Sequence, residues 1–153
     1  MRKPYFPAQA GDPAPLRTTV RRQIRFEEVD PMGIVWHGRY PGFFEDARVA
    51  LGTRHGIGYE EFFRHDVPAP IRKLQIDYLN PLRFREEIEI EAILHWSDAA
   101  RLDFEFVIRG ADSGVTATGC TVQLMLESTG ELLLVPPPFV RAFRERWQAG
   151  ALA

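Results

Sequence analysis

Cysteine is nearly absent from this sequence of 153 residues, and its scarcity excludes several classes of protein. The single Cys120 rules out an intrachain disulfide and a cysteine-based zinc cluster, and it favours a reducing, cytoplasmic setting. Because Cys120 lies in a strand-like run, we interpret it as a small buried residue and not as a nucleophile. Metal-ligand spacings, phosphate-binding loops and G-x-S-x-G motifs are also missing, so we expect no metal and no separate cofactor.

An excess of basic charge and a long apolar run are missing as well. The formal net charge is -2, whereas nucleic-acid binders usually carry a basic excess, so no nucleic-acid partner is expected. No apolar stretch is long enough to span a bilayer. Residues 1–16 begin with basic residues but lack the apolar core of a signal peptide, and their prolines predict a flexible or extended arm. The length fits a single domain, which we assign to residues 17–149.

Apolar and polar residues alternate along most of the predicted strands. In residues 87–96 the apolar side chains alternate with glutamates and a histidine, which is typical of a strand with one buried and one solvated face. The same period predicts strands at residues 19–28, 74–78, 102–109 and 121–127. The segment ELLLV, which follows an STG turn, is predicted to pair back as a further hairpin strand.

Helical spacing of apolar residues marks one long segment and two short ones. The long helix is predicted from residue 38 to about residue 54, where Pro41 is tolerated only in the first turn. Residues 58–65 predict a short second helix, and residues 139–147 predict a short amphipathic one. Because the strands follow one another without intervening helices, they should form an antiparallel sheet. The predicted fold is therefore α+β, a curved antiparallel sheet of about five or six strands wrapped around one long central helix.

The segment VDPMGIVWHGRYPGFFEDAR, at residues 29–48, combines an acid, a flexible turn and a helix start. A proline restricts the backbone of Asp30, and Gly33 gives the turn access to conformations that other residues avoid. His37 and Gly38 precede the helix, whose first N–H groups have no internal partner and carry a partial positive charge. A carboxylate facing such N–H groups is suited to acyl transfer. The alternative is local: Asp30 caps a turn, and His37 merely lies at the helix start.

The same residues carry a family resemblance. The stretch FEEVDPMGIVWHGRYPGFFEDAR resembles the active-site segment of hotdog-fold acyl-CoA thioesterases of the 4-hydroxybenzoyl-CoA thioesterase type, which include bacterial thioesterases associated with the Tol–Pal system. The later KLQIDYLNPLRFREEIEIEAIL is similar to the second strand pair of that family, and the resemblance extends over residues 17–147. It implies a hotdog fold and hydrolysis of a short or medium aliphatic or an aromatic acyl-CoA to the free acid and CoA. It also implies a homodimer or homotetramer with active sites between subunits.

The resemblance further implies roles for individual residues. Asp30 matches the catalytic carboxylate, acting either as the nucleophile or as the general base, and His37 matches a second catalytic position. Six more residues are implied to bind substrate: Gly33, Val35, Trp36, Gly38, Tyr40 and, as a candidate for the CoA phosphates, Arg101. CoA would be part of the substrate and not a cofactor. The sequence departs from the family pattern at Glu28, where an Asp is frequent, and in the acidic SDAAR segment, where relatives often carry a basic residue.

Two other functions are compatible with this sequence. A hotdog-fold enoyl-thioester hydratase or dehydratase would need a paired acid and base, which Asp30 and His37 could supply. A non-catalytic acyl-CoA-binding protein would bind CoA esters without turning them over, although the presence of Asp30 argues against it. Release of free thiol from CoA esters would separate thioester hydrolysis from both alternatives.

Overall fold

The computed structural model describes residues 3–152, which form five β-strands and three α-helices. The strands are β1 (Leu16–Gln23), β2 (Ile71–Tyr78), β3 (Glu87–His95), β4 (Arg101–Arg109) and β5 (Val115–Leu124). The helices are α1 (Tyr40–His55), α2 (Tyr59–Arg64) and α3 (Pro138–Gln148), and 3-10 turns occupy Phe26–Glu28 and His37–Arg39. All neighbouring strands are antiparallel, in the order β1-β3-β4-β5-β2. The predicted α+β arrangement, an antiparallel sheet against one long helix, is confirmed.

Helix α1 packs on one face of the sheet, where its apolar side chains meet those of β3 and β4. Phe43 and Phe44 are buried, and the Phe44 ring stacks on Phe106 of β4 with ring centroids 4.5 Å apart. A Cβ atom at Gly119 of β5 would clash with the Phe44 ring, so only glycine lets the helix approach the sheet this closely. The hydrophobic core therefore lies between α1 and the inner face of the sheet.

The outer face of the sheet is polar along β1 and β3, as the alternation predicted. Arg17 of β1 pairs with Glu91 of β3 at 3.3 Å, and Arg21 pairs with Glu89 at 2.8 Å. Arg21 lies directly opposite Glu89, whereas Arg17 reaches Glu91 diagonally, because Thr19 is the residue opposite Glu91. The glutamates of β3 thus form a solvated face that is matched by arginines.

Residues of the N-terminal arm cover the outer face near β2 and β5. The Tyr5 hydroxyl bonds the Asp77 carboxylate of β2 and lies 3.0 Å from the Thr118 hydroxyl of β5. The Phe6 ring packs on the His95 ring of β3, with centroids 5.4 Å apart. The described part of the arm thus contacts the sheet through Tyr5 and Phe6, and its first two residues lie outside the described chain.

The predicted strand at residues 19–28 stops early. β1 ends before a 3-10 turn at Phe26–Glu28. The Glu28 carboxylate accepts the backbone N–H of Arg25 at 2.8 Å and also pairs with the Arg22 guanidinium. Because this side chain satisfies a backbone donor locally, the chain turns where the alternation alone predicted a continuing strand.

Two expectations for the second half of the chain were also wrong. β5 begins at Val115, ahead of the predicted start, and ends at Leu124. The ELLLV segment forms an isolated bridge between Leu126 and Leu132, and it is not a strand among the described residues. On the β5 side, the last strand of the sheet is β2.

Strands β1 and β2 lie at the two edges of the sheet. β2 exposes Ile71, Leu74 and Tyr78 to 40, 46 and 49%. An edge strand that combines unpaired backbone groups with exposed apolar side chains is a template for pairing with another chain. β2 is therefore an edge strand that exposes apolar side chains.

Candidate active site

The loop that joins the two 3-10 turns is closed by short backbone hydrogen bonds. The Asp30 N–H donates to the Ile34 carbonyl at 2.8 Å, and the Gly33 N–H donates to the Asp30 carbonyl at 2.9 Å. Gly33 has a φ of +79°, the left-handed conformation that the turn was predicted to need. Val35 is buried, and its N–H donates to the Leu82 carbonyl at 2.8 Å. These bonds fix the loop to the body of the domain and hold Asp30 at its bend.

The Asp30 carboxylate is held at one oxygen only. Its Oδ1 accepts the backbone N–H of Met32 at 2.8 Å, so Asp30 does cap the turn. Its Oδ2 has no hydrogen bond or ion pair to any of residues 3–152. The side chain is half-buried. One oxygen therefore sets the direction of the carboxylate while the other stays available for a substrate or a water molecule.

The second 3-10 turn leads directly into α1, with Pro41 in the first turn as predicted. Within the described chain, neither the His37 N–H nor the Gly38 N–H donates to a backbone acceptor. The His37 carbonyl accepts the hydroxyl of Tyr78 in β2 at 2.7 Å. The peptide is thus anchored through its carbonyl, while the first N–H groups of the helical run keep their unpaired positive ends.

The Trp36 ring fills the space over Gly38. A Cβ atom at Gly38 would clash with the Trp36 ring, which lies against this residue. The same indole lies 5.1 Å from the His37 ring between centroids and is 48% exposed. Glycine is needed here because an indole packs on it.

Tyr40 lies in the core beneath the helix start and not on the loop surface. It is 3% exposed, and its ring meets the Tyr78 ring edge-on at 4.8 Å. Burial, followed by the charges of Tyr78 and Glu86, raises the pKa of Tyr40 to about 12. Tyr40 supports Tyr78, which in turn bonds the His37 carbonyl.

Two residues that the sequence associated with the site are held elsewhere. Arg101 is at the start of β4 and pairs with Asp103 at 3.0 Å on the outer face of the sheet, opposite α1. Glu28 is buried in the pair with Arg22. Within one subunit, neither side chain is brought together with the free oxygen of Asp30.

A second polar cluster occupies the middle of α1. The Arg48 Nε donates to Glu45 at 2.9 Å, an ion pair between residues three positions apart on the helix. The same guanidinium donates to Thr121 at 2.7 Å and to Gln123 at 3.2 Å, both in β5. The Tyr59 hydroxyl donates to the other Glu45 oxygen at 2.6 Å. Burial and this bond raise the pKa of Tyr59 to about 12, so the phenol stays protonated.

Two kinds of site are missing from residues 3–152. No group of three or more His, Cys, Asp or Glu side chains there could hold a metal ion. None of the described helices combines the length and the hydropathy that crossing a bilayer requires.

Comparison with known proteins defines the class of this molecule. Residues 24–143 match the model of the thioesterase-like superfamily, and the chain belongs to that family. The match includes the Asp30 loop, α1 and all the strands except β1.

Individual relatives agree with this class. The chain is 28% identical over 79 residues to the acyl-CoA thioester hydrolase YbgC of Escherichia coli, covering 50% of this chain and 59% of that relative. It is 32% identical over 112 residues to the 1,4-dihydroxy-2-naphthoyl-CoA hydrolase of Synechococcus elongatus, covering 71 and 80% of the two chains. The DHNA-CoA thioesterase of Staphylococcus aureus superposes with a TM-score of 0.78 at 20% identity, covering 87 and 91%. That superposition establishes the shared hotdog fold.

Proposed function

We propose that this protein hydrolyses acyl-CoA thioesters to the free acid and CoA. The observation that supports the proposal is the Asp30 carboxylate, oriented through one oxygen and free at the other, in a loop that leads to unpaired helix N–H groups. Membership of the thioesterase-like superfamily supports the same reaction. The relatives that act on acyl-CoA esters support CoA as the leaving group.

Asp30 Oδ2 would act in one of two ways. It attacks the thioester carbonyl carbon, so that the C–S bond breaks and water then hydrolyses the resulting anhydride. Alternatively it takes a proton from a water molecule that attacks the same carbon. In both routes the N–H groups of His37 and Gly38 stabilise negative charge on the carbonyl oxygen, and CoA leaves as a thiolate. The exposed His37 ring, packed beside the Trp36 indole, is suited to orienting the water.

The acyl range that we propose is short or medium aliphatic or aromatic. Large apolar side chains around the Asp30 loop are exposed and would contact the substrate or a second subunit: Phe26, Met32, Trp36 and Phe84. Gly33 and Val35 shape the loop, and Tyr40 supports it from below. Arg101 would contact CoA phosphates only from another subunit, because its own Asp30 loop lies on the other side of the sheet.

A homodimer, or a tetramer of such dimers, would complete the site. The apolar β2 edge is a natural place for two copies to pair. Pairing would cover Ile71 and Leu74 and would bring the second copy close to the Tyr78–His37 contact. The single, buried Cys120 suits a reducing, cytoplasmic location.

The proposal is tested by free-thiol release from acetyl-, hexanoyl-, palmitoyl- and benzoyl-CoA. We expect a clear rate on at least one ester that is short, medium or aromatic. Crotonyl-CoA tests the hydratase alternative, because loss of the enoyl absorbance without thiol release would identify that reaction. Binding of the esters without either change would identify a non-catalytic binder. Either result would overturn the proposed hydrolysis.

A further inference from the structure

The N-terminal arm is attached to the edge strand β2 by one tyrosine. The Tyr5 hydroxyl donates to the carboxylate of Asp77 in β2, and it lies 3.0 Å from the hydroxyl of Thr118 in β5. Asp77 and Thr118 are directly opposite each other in the β2–β5 pair, one residue before β2 ends. A single phenol therefore links the end of the edge strand to the strand beside it.

Within one subunit, the end of β2 is held from one side of the sheet only. An edge strand leaves a row of backbone groups unpaired, and it opens more readily than a central strand. Asp77 is half-buried, and the hydrogen bond that it accepts from the Gln75 side chain is long, at 3.4 Å. Tyr5 lies between Pro4 and Pro7, whose rings restrict the backbone of the arm. The bond from Tyr5 to Asp77 thus restrains the last residues of β2.

The residue after Asp77 is Tyr78, which reaches the candidate active site from the other face of the sheet. Successive side chains of a strand point to opposite faces, so Asp77 meets the arm while Tyr78 faces the helix side. The Tyr78 hydroxyl donates to the His37 carbonyl at 2.7 Å. That carbonyl and the Gly38 N–H belong to one planar peptide unit, so a bond that fixes the carbonyl also fixes the direction of the N–H. The end of β2 therefore orients one of the two N–H groups that the proposed reaction places at the thioester carbonyl oxygen.

We propose that Tyr5 is a positioning residue of the candidate active site, acting through Asp77 and Tyr78 on the Gly38 N–H. The inference rests on the proposed thioester hydrolysis and deepens it, because it gives the arm on the outer face of the sheet a part in catalysis. Tyr5 does not touch the reacting atoms; it limits the motion of the strand that carries Tyr78. Tyr5 also lies outside residues 24–143, which match the family model, so this restraint comes from a part of the chain beyond the matched domain.

Removal of the Tyr5 hydroxyl tests the proposal in the rate. Tyr5→Phe keeps the ring and loses both polar contacts. On the ester that the wild type hydrolyses fastest, we expect kcat to fall about tenfold while KM changes less than about twofold, because a donor to the developing oxyanion acts mainly in the transition state. Phe6→Leu is the control, since it loosens the arm at His95 of β3 but leaves the bond to Asp77, and it should keep the wild-type kcat. A wild-type kcat in folded Tyr5→Phe would overturn the proposal.

A double-mutant cycle tests whether Tyr5 acts through Tyr78. Tyr78→Phe removes the bond to the His37 carbonyl directly and should lower kcat at least as much as Tyr5→Phe. Once that bond is lost, adding Tyr5→Phe should lower kcat by less than about a further twofold, because residues in one chain of contacts do not act independently. If Tyr5→Phe cost the same factor in both backgrounds, its effect would come from a general loosening of the fold, which contradicts the proposal.

A measurement on the peptide itself does not depend on turnover. Labelling histidine with ¹³C at the carbonyl and glycine with ¹⁵N selects His–Gly peptides in NMR spectra, and the sequence has two of them, at 37–38 and 55–56. The second one ends α1 and is an internal reference. The 37–38 signal should shift in Tyr5→Phe and in Tyr78→Phe and should keep its position in Phe6→Leu.

The two possible failures are distinct. An unmoved 37–38 signal in Tyr5→Phe would overturn the role of Tyr5 even if no ester released thiol. Absence of thiol release from every ester by the wild type would instead refute the proposed hydrolysis.

Discussion

The polar groups just before α1 and those in its middle differ in how completely they are hydrogen bonded. Before the helix, the Asp30 Oδ2 and the N–H groups of His37 and Gly38 have no protein partner within the described chain. Farther along, Arg48 and Glu45 are bonded to each other and to residues of β5 and α2. Buried polar groups need hydrogen-bond partners for the fold to be stable, whereas reactive groups need a lone pair or an N–H that no protein group already occupies. The comparison separates a cluster that mainly holds the fold from a loop that is organised for chemistry.

The largest effect on stability is expected at Arg48, in the hydrogen-bonded cluster in the middle of α1. Arg48→Leu removes a buried guanidinium and leaves Thr121 and Gln123 without their partner. We expect a loss of roughly 3 kcal/mol in the free energy of unfolding, measured by urea denaturation. Arg141→Leu, at an exposed position of α3, is the control and should change stability by less than about 0.5 kcal/mol. Equal effects of the two substitutions would show that the cluster does not hold the fold.

A smaller effect, on the catalytic rate and not on stability, is expected at Gly38, just before α1. Gly38→Ala pushes a methyl group into the Trp36 ring and should displace the indole and the adjacent His37 peptide. Because small displacements of aligned groups reduce rates strongly, we expect kcat to fall on the order of 100-fold. Gly42→Ala is the control, since its Cβ would meet nothing within 4 Å. A Gly38→Ala enzyme with the wild-type kcat would show that the Trp36–Gly38 contact does not position the site.

Tyr59→Phe sharpens the comparison by removing one hydrogen bond of the cluster around Arg48 and Glu45. The variant loses the 2.6 Å hydrogen bond to Glu45 while keeping the aromatic ring. We expect a loss of about 1 kcal/mol in unfolding free energy, because the bond is partly exposed and Glu45 still pairs with Arg48. Phe63→Tyr is the control, because Phe63 is 89% exposed in α2, and it should leave stability unchanged.

The smallest effect concerns the pH dependence of stability at the end of α1. Burial, with the charge of Arg54 as a second cause, lowers the pKa of His55 below its ordinary 6.5. The unfolded chain therefore binds a proton more readily than the folded one, so stability falls as the pH drops below about 6.5. His55→Gln should flatten this part of the profile of unfolding free energy between pH 5 and pH 7. An unchanged slope in the variant would assign the acid sensitivity to other groups.

The fold was predictable wherever one face of a strand is buried and the other is solvated. β3 and β4 follow the alternation because α1 covers one face and the glutamates of β3 occupy the other. The early part of β5 was missed because Thr116 and Thr118 are buried on one face of the strand while Ala117 is buried on the other, so no alternation is visible. There the N-terminal arm covers the outer face through Tyr5, a contact between residues far apart in sequence.

The site was predictable where its geometry is local. Asp30 and Gly33 lie within one turn, and their bonds join residues a few positions apart. The packing of Trp36 on Gly38 had no counterpart in the pattern, because side-chain direction is set by the surrounding loop. The burial of Arg48 depends on Thr121, 73 positions away, and a single sequence gives no signal for such a pairing.

The most direct test of the account is thiol release by Asp30→Asn beside Asp66→Asn. The Asn at position 30 can still accept the Met32 N–H through its carbonyl, so the turn is kept while the free carboxylate oxygen is lost. Asp66 is exposed at a φ of 53°, a conformation that Asn tolerates well, so it is a matched control. We predict that Asp30→Asn loses on the order of 1,000-fold in kcat with its unfolding free energy nearly unchanged, while Asp66→Asn keeps the wild-type rate. Wild-type turnover by a folded Asp30→Asn enzyme would contradict the assignment of the Asp30 carboxylate as the reactive group.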